Sequence, residues 1–510
     1  MINKKMPKAK TIMIQGTASS VGKSVITAAL CRIFRQDGYK VAPFKAQNMA
    51  LNSFVTAGGG EIGRAQAVQA EAAGISPTVD MNPVLLKPTS GSGCQVIVLG
   101  KVVKTISASD YSSYAPTLLK TVSEALERLR AAYDIVVIEG AGSPAEINLK
   151  EQDIVNMRLA RESKTPVLLA GDIDKGGVFA SLVGTLELLD DNERHYVKGL
   201  IINKFRGEVA LLQPAIDFLE KRTGLPLLGV IPYFKDIRIA QEDSVYLDER
   251  KESAAAGGLD IVVIGLPHIA CYDDFDPLEE TGCTVRYIRQ SFEMGNPHLI
   301  ILPGTKSTIH DMQYLRQSGM ANTILQKAKA GVPVLGVCGG YQLLGKIILD
   351  PHHTESDITE MEGLGLLNVV TEFATEKYTA QVRANTISHI GLLAGTSGMD
   401  ITGYEIHMGR TRSEEKNVVF RIIETQQGKT DYTDGALDTT GMIMGTYFHG
   451  LFISDTFRQA FLNNLRRLSG LPDNKRDSTT TKNVEYDKLA DLVRRNLDMA
   501  KIYKIMEKGI

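Results

Sequence analysis

Cysteine is scarce in this 510-residue chain: five residues, at 31, 94, 271, 283 and 338, with no CxxC pair among them. An odd, scattered set excludes a disulfide framework and a structural zinc site, and fits a reducing, cytoplasmic compartment. No window reaches the roughly 18 uninterrupted apolar residues of a membrane span, so none is expected. Net charge is also nearly absent. The chain has 57 Lys and Arg against 59 Asp and Glu, a balance of −2, which leaves no electrostatic footprint for nucleic acid. The basic start MINKKMPKAK runs straight into the strand-like TIMIQG, without an apolar stretch or a small-residue cleavage site, so a secretory signal is not expected. Internal repeats and long low-complexity tracts are missing as well. What remains is an ordinary folded composition, 43% hydrophobic and 23% charged, which excludes a disordered chain, a collagen and a coiled coil. The length suits two large domains or about three smaller ones.

Short β-branched runs recur with helical patterns between many of them. TIMIQ (11–15), KVAPF (40–44), QVIVLG (95–100), DIVVIEG (134–140), PVLLAG (166–171), GLIINK (199–204) and LLGVIP (227–232) read as strands buried on both faces. Ile26, Ala29, Leu30, Ile33 and Phe34 form a helical stripe between the first two. A second series follows: LDIVVIGLP (259–267), TVRYI (284–288), HLIILPG (298–304) and VPVLGVCGG (332–340). The alternation predicts an α/β protein of two domains, each with a mostly parallel sheet flanked by helices. The expected division is a nucleotide domain over 1–235, a charged and then small-residue linker over 236–258, a second domain over 259–460, and a helical tail over 461–510. In that tail Leu489, Leu492, Val493 and Leu497 share a face of a pattern running over about 484–508.

The first strand enters Gly16-Thr17-Ala18-Ser19-Ser20-Val21-Gly22-Lys23-Ser24, and the stripe helix follows. A strand, a Gly-rich loop and a helix opening on GKS make a phosphate cradle. Backbone N–H groups and the helix N-terminus meet the anion, Lys23 reaches the β and γ phosphates, and the Ser24 hydroxyl ligates Mg²⁺. Five residues, not the usual four, separate Gly16 from Gly22. A carboxylate must complete the Mg²⁺ site, and Glu139, ending DIVVI and opening Glu-Gly-Ala-Gly, stands where ligands sit in open α/β sheets. Lys45, after the second strand, is either a second phosphate or carboxylate contact or a surface lysine. The Gly16-Thr17 start and Glu139-Gly140-Ala141-Gly142 resemble the dethiobiotin synthetase-like branch of P-loop ATPases. That resemblance implies ATP-driven phosphorylation of a carboxylate, with ATP held by Gly16, Thr17, Gly22, Lys23, Ser24 and Lys45.

In the second domain, Gly336-Val337-Cys338-Gly339-Gly340-Tyr341-Gln342 reads as a strand, a nucleophile elbow and a helix start. A helix N-terminus favours thiolate, so Cys338 is the expected nucleophile. Among nine histidines, His449 in Tyr447-Phe448-His449-Gly450 is the expected base. His407 is read as substrate-contacting or structural, and His352-His353 as a solvated loop. Backbone N–H groups of Gly304 and Gly339 are the expected oxyanion donors. These motifs resemble class I, or triad, glutamine amidotransferases of the cobyrinate/cobyrate type, whose domain is flavodoxin-like. The broader class has a Glu two residues after the His, where this chain has Leu451, so the third member stays unassigned.

Two families join these halves, cobyrinate a,c-diamide synthases and cobyric acid synthases. The runs Phe44–Ser53, Gly171–Ala180 and Asn203–Gly207 are similar to signatures of the second. The resemblance implies glutamine- and ATP-dependent amidation of the b, d, e and g carboxylates of adenosylcobyrinic acid a,c-diamide, a step of cobalamin biosynthesis. Diamide synthesis is the near alternative, and a partitioning-type switch ATPase the remote one. The implied partners are a small-molecule corrinoid and glutamine, with no nucleic acid and no membrane; a homo-oligomer stays open.

Overall fold

The computed structural model describes residues 8–89, 93–234, 237, 258–474 and 482–510. The linker expected over 236–258 therefore lies almost wholly outside the described residues. Strand Lys10–Gly16 sits in the middle of a six-stranded, all-parallel sheet. Its order is Leu227–Pro232, Val197–Phe205, Val167–Asp172, Lys10–Gly16, Ile135–Glu139, Val41–Phe44. Strands such as Ile135–Glu139 and Val167–Asp172 are buried at every position, as a sheet with two covered faces requires. The stripe helix, α1 (Lys23–Gln36), covers one face, with Ile26, Ala29, Leu30, Ile33 and Phe34 all sealed from solvent.

One expected strand of this sheet goes elsewhere. Gly93–Val98 pairs antiparallel with both Val84–Pro88 and Lys101–Ser107 in a separate four-stranded sheet. The cause is local: Leu99 and Gly100, at φ 45° and 79°, form a two-residue turn that folds KVVKTIS back on its predecessor. This sheet belongs to an excursion from the nucleotide domain, residues 47–107, which also contains helix α2 (Arg64–Ala73).

The second domain is built on strands ordered Thr284–Ile288, Asp260–Ile264, Leu299–Leu302, Val334–Val337, Ile443–Thr446 and Ala436–Leu437, parallel except for the last pair. Beside it lies a second sheet dominated by the long hairpin of Val369–Thr386 and Asp400–Ser413.

The expected tail over 461–510 is not one unit. Helix Asp455–Leu468 starts before residue 460 and buries Phe457, Phe461 and Leu465 in the amidotransferase-side core. Helix Lys482–Asn496 instead returns to the nucleotide domain, placing Tyr486, Leu489, Ala490 and Val493 in the α1 core, while Arg32 pairs with Asp487 at 2.7 Å. The single pattern expected over 484–508 breaks where Leu497 bridges to Gly229, and Asp498 caps a new helix, Met499–Lys508. Among the described residues no helix is long and apolar enough to cross a membrane. Leu489→Ala should cost the nucleotide-domain transition about 2–5 kcal/mol in denaturant unfolding, because Leu489 is fully buried. The half-exposed Leu468→Ala should stay within about 0.5 kcal/mol of the parent. Equal effects would refute the docking of the last helices on α1.

Candidate active sites and family membership

The phosphate loop lies at the carboxyl end of its parallel sheet. Gly22, at φ 97°, precedes α1, whose first turn carries no acidic residue to compete with an anion. Thr17 N–H bonds Ala170 O at 2.9 Å, tying the loop to the next strand. Lys23 is folded over the loop, its Nζ 2.8 Å from Ala18 O and 2.9 Å from Gly142 O. Asn203 Nδ2 bonds Val21 O at 2.8 Å, and Lys204 Nζ contacts Ser20 O and Asp172, so two of the quoted signature runs support the loop.

Glu139 is the centre of this site. Its Oε1 receives Ser24 Oγ at 2.8 Å and Lys45 Nζ at 2.9 Å, while its Oε2 receives Gln69 Nε2 at 2.5 Å. Lys45 is thus buried at an ion pair and is not a surface residue. Burial opposes the charge on Glu139, but the Lys45 ammonium and three hydrogen bonds hold the carboxyl below its usual range. A hydroxyl and an ionised carboxylate together are the oxygen donor set that Mg²⁺ prefers. Gln69, on α2, was not anticipated. Nothing local marks it, because it reaches Glu139 across 70 residues.

The second site forms where Val334–Val337 ends. Cys338 adopts φ 52°, ψ −109°, a strained conformation for a side chain-bearing residue, and starts the helix Gly339–Leu344. A Cβ on Gly340 would fall 1.9 Å from Leu302 O, so glycine is obligatory for this close approach. The Cys338 thiol donates to Ile406 O at 3.3 Å. A Cβ on Gly304 would lie 3.3 Å from His449 Cε1 and 3.8 Å from Cys338 Cβ, which places that backbone beside the nucleophile. Gly339 packs on Thr305, the residue after Gly304.

His449 is buried, stacked on Tyr404 at 5.0 Å, and its Nδ1 lies 2.6 Å from Asp274 Oδ2. Asp274 Oδ1 also accepts Gly450 N–H at 2.9 Å. His449 Nε2 is buried without a hydrogen-bond partner. Burial disfavours the imidazolium, yet the Asp274 carboxylate against Nδ1 holds the His449 pKa above the ordinary value. The missing third group is therefore Asp274, in the short turn Tyr272–Phe275 that follows strand Asp260–Ile264. Leu451 is buried apolar. A signal existed: an acidic run at the carboxyl end of a parallel strand. His407 stacks on Tyr447 at 3.9 Å and burial lowers its pKa to about 4, so it lines the cavity as a neutral ring.

The cavity before Cys338 and His449 is also lined by Lys306, Glu355, Lys377 and, from the nucleotide domain, Lys87. Glu61 joins the last two, at 2.7 Å to Lys87 and 2.5 Å to Lys377. Burial alone would raise Glu61, but the two ammonium groups hold it far below the usual carboxylate range.

Residues 260–457 match the CobB/CobQ-like glutamine amidotransferase domain, and residues 12–245 the CobQ/CobB/MinD/ParA nucleotide binding domain. A curated cobyric acid synthase of Dehalococcoides mccartyi (strain CBDB1) is 60% identical over 502 residues, spanning 98% of this chain and 100% of that protein. The chain belongs to the cobyric acid synthase family. Cobyric acid synthases of Pelotomaculum thermopropionicum and Sorangium cellulosum are 50% and 51% identical, each over 98% of this chain. As a member of the cobyric acid synthase family the chain is an enzyme, an ATP-dependent amide ligase carrying a glutamine amidotransferase domain.

Asp274→Asn keeps the shape of the His449 partner and removes its charge. Glutamine-dependent turnover should fall by about 10²–10⁴-fold while turnover on free ammonia persists; unchanged glutamine kinetics would dismiss Asp274. A second test concerns Glu355, whose carboxyl burial raises from 4.5 to about 7 against the pull of Lys306. Between those values the folded chain binds more protons than the unfolded one, so this group's contribution falls as pH rises through the window. Relative to the parent, Glu355→Gln should gain about 1–3 kcal/mol in denaturant unfolding between pH 5 and pH 8. A pH-independent difference would contradict the assignment.

Proposed function

We propose that the chain amidates the b, d, e and g carboxylates of adenosylcobyrinic acid a,c-diamide, using ATP and ammonia from its own glutaminase site. What carries the reading is the coexistence, in one chain with full-length cobyric acid synthase relatives, of the Cys338–His449–Asp274 relay and the Lys23–Ser24–Glu139 cluster. Cys338 attacks the glutamine carboxamide carbon. Backbone N–H groups of Gly304 and Gly339 receive the oxyanion. His449, steadied by Asp274, protonates the departing ammonia, then takes a proton from water, which releases glutamate from the thioester.

In the other half, the phosphate-loop backbone with Gly16, Thr17 and Gly22 seats ATP. Lys23 and Lys45 offset negative charge as the γ-phosphoryl group passes to the substrate carboxylate. Ser24 and Glu139 would hold Mg²⁺, which when bound neutralises phosphate charge. Ammonia attacks the acyl phosphate; an amide forms and phosphate leaves. The chemistry suits a cytoplasmic enzyme whose partners are small molecules.

Cys338→Ala should abolish glutamine-dependent amidation and retain synthesis from ammonium salts. Lys23→Ala should lose both. Mass spectrometry of exhausted reactions should count four new amides per corrinoid; two would point to diamide synthesis instead. Loss of the ammonia reaction in folded Cys338→Ala would overturn the division of labour.

A further inference from the structure

Helix α2 touches both candidate sites. At one end Arg64 Nε lies 2.7 Å from Asp273 Oδ2, and Asp273 adjoins Asp274, the partner of His449. Five residues on, Gln69 Nε2 lies 2.5 Å from Glu139 Oε2 and 3.4 Å from Ser24 O. At 1.5 Å and 100° per residue, Arg64 and Gln69 are about 7.5 Å apart along the axis and about 140° apart around it. The helix is thus wedged between the sites and does not merely lie beside one of them.

Its composition suits a rigid part. The sequence RAQAVQAEAA has five alanines, which have no rotamers to absorb a displacement, and every residue except Glu71 is buried. Both contacts are also poised to change. Glu139 already carries Ser24, Lys45 and Gln69, so any ligand that takes a Glu139 oxygen must redistribute those bonds. The Arg64–Asp273 pair is close but misaligned: Arg64 Nε and Asp273 Oδ1 are buried without a hydrogen-bond partner. Burial, followed by the neighbouring Asp274, pushes the Asp273 carboxyl up despite Arg64. Glu71 also draws on Arg64 from 3.4 Å, and Phe54 lies under its guanidinium. A small shift of α2 therefore changes the best partner for Arg64 and moves the turn that holds Asp274.

We propose that α2 couples the two centres, with Gln69 sensing occupation of the phosphate-loop site and Arg64, through Asp273, adjusting the Asp274–His449 relay. The proposal rests on the two-site reading above and adds a regulation to it. Arg64 and Gln69 are positioning residues. Coupling of this kind is an energy shared by two sites, carried by an element whose arrangement both sites bias.

The test uses the full chain and the rate at which 6-diazo-5-oxo-L-norleucine, a glutamine-like electrophile, alkylates Cys338, with and without a non-hydrolysable ATP analogue and Mg²⁺. In the parent the nucleotide should change that rate by about fivefold or more. Arg64→Gln and Gln69→Leu should each bring the ratio close to one. Asp273→Asn, which attacks the same contact from the other domain, serves where Arg64→Gln fails to fold. A nucleotide-independent rate in the parent, or variants that slow both rates in parallel with the ratio intact, would overturn the coupling. Label mapped to a cysteine other than Cys338 would instead overturn the glutaminase assignment beneath it.

Discussion

A carboxylate buried between two ammonium groups joins the halves of this enzyme. Glu61 comes from the excursion of the nucleotide domain; Lys87 comes from the same excursion and Lys377 from the long strand of the amidotransferase domain. Such a group does not make a fold stable cheaply, because taking three charges out of water costs several kcal/mol per ion before attraction offsets it. Its consequence is registry. Any sliding of one domain over the other leaves an uncompensated buried charge, so the seam has one favoured alignment. Neighbouring polar contacts follow that alignment: Thr379 Oγ1 donates to Gly59 O at 2.7 Å, Gln381 reaches Val55 O, and Tyr404, the ring stacked on His449, leans on Ser53. The wall of the glutaminase cavity is completed only when both domains are in place, since Lys87 lines it.

A site without the usual Glu after its histidine still keeps an oriented imidazole. The requirement is a carboxylate that binds Nδ1–H and leaves Nε2 facing the thiol. Asp274 meets it from another strand end and adds the Gly450 N–H bond, which ties the carboxylate to the backbone of the residue it serves. The position two residues after His449 is then free to be Leu451, part of the apolar core. Cys271 is also in this cavity, but burial pushes its thiol up, so it stays protonated.

How much of this the sequence reveals depends on how local each determinant is. The parallel strands, the phosphate loop and the Cys338 elbow were legible because apolar runs, Gly spacing and strand-end placement are contiguous signals. Gly93–Val98 is ambiguous because a mostly apolar run fits a parallel strand and a covered hairpin strand equally well; the Leu99-Gly100 turn decides between them, and only Gly100 advertises it. The tail misled because Leu489 and Val493 mark a helix face without stating which domain it covers. The roles of Asp274 and Gln69 are not legible for one physical reason: the acidic run marks a strand end but not its partner, and each residue acts far away in the chain, across 175 and 70 residues respectively.

That pattern bears on why the two chemistries occupy one polypeptide. Free ammonia is a nucleophile only while unprotonated, and an acyl phosphate survives only while water is kept away, so both intermediates reward short transit between sealed sites. Here the nucleotide domain finishes a wall of the other domain's cavity, and a wall residue such as Lys87 cannot be recognised within its own domain. Once walls are shared, a change at one site is mechanically available to the other through whatever rigid element spans them. In this fold the element with contacts to Asp273 at its first residue and to Glu139 from its middle is α2. In the proposed coupling, α2 is what lets ammonia release wait for an activated acid.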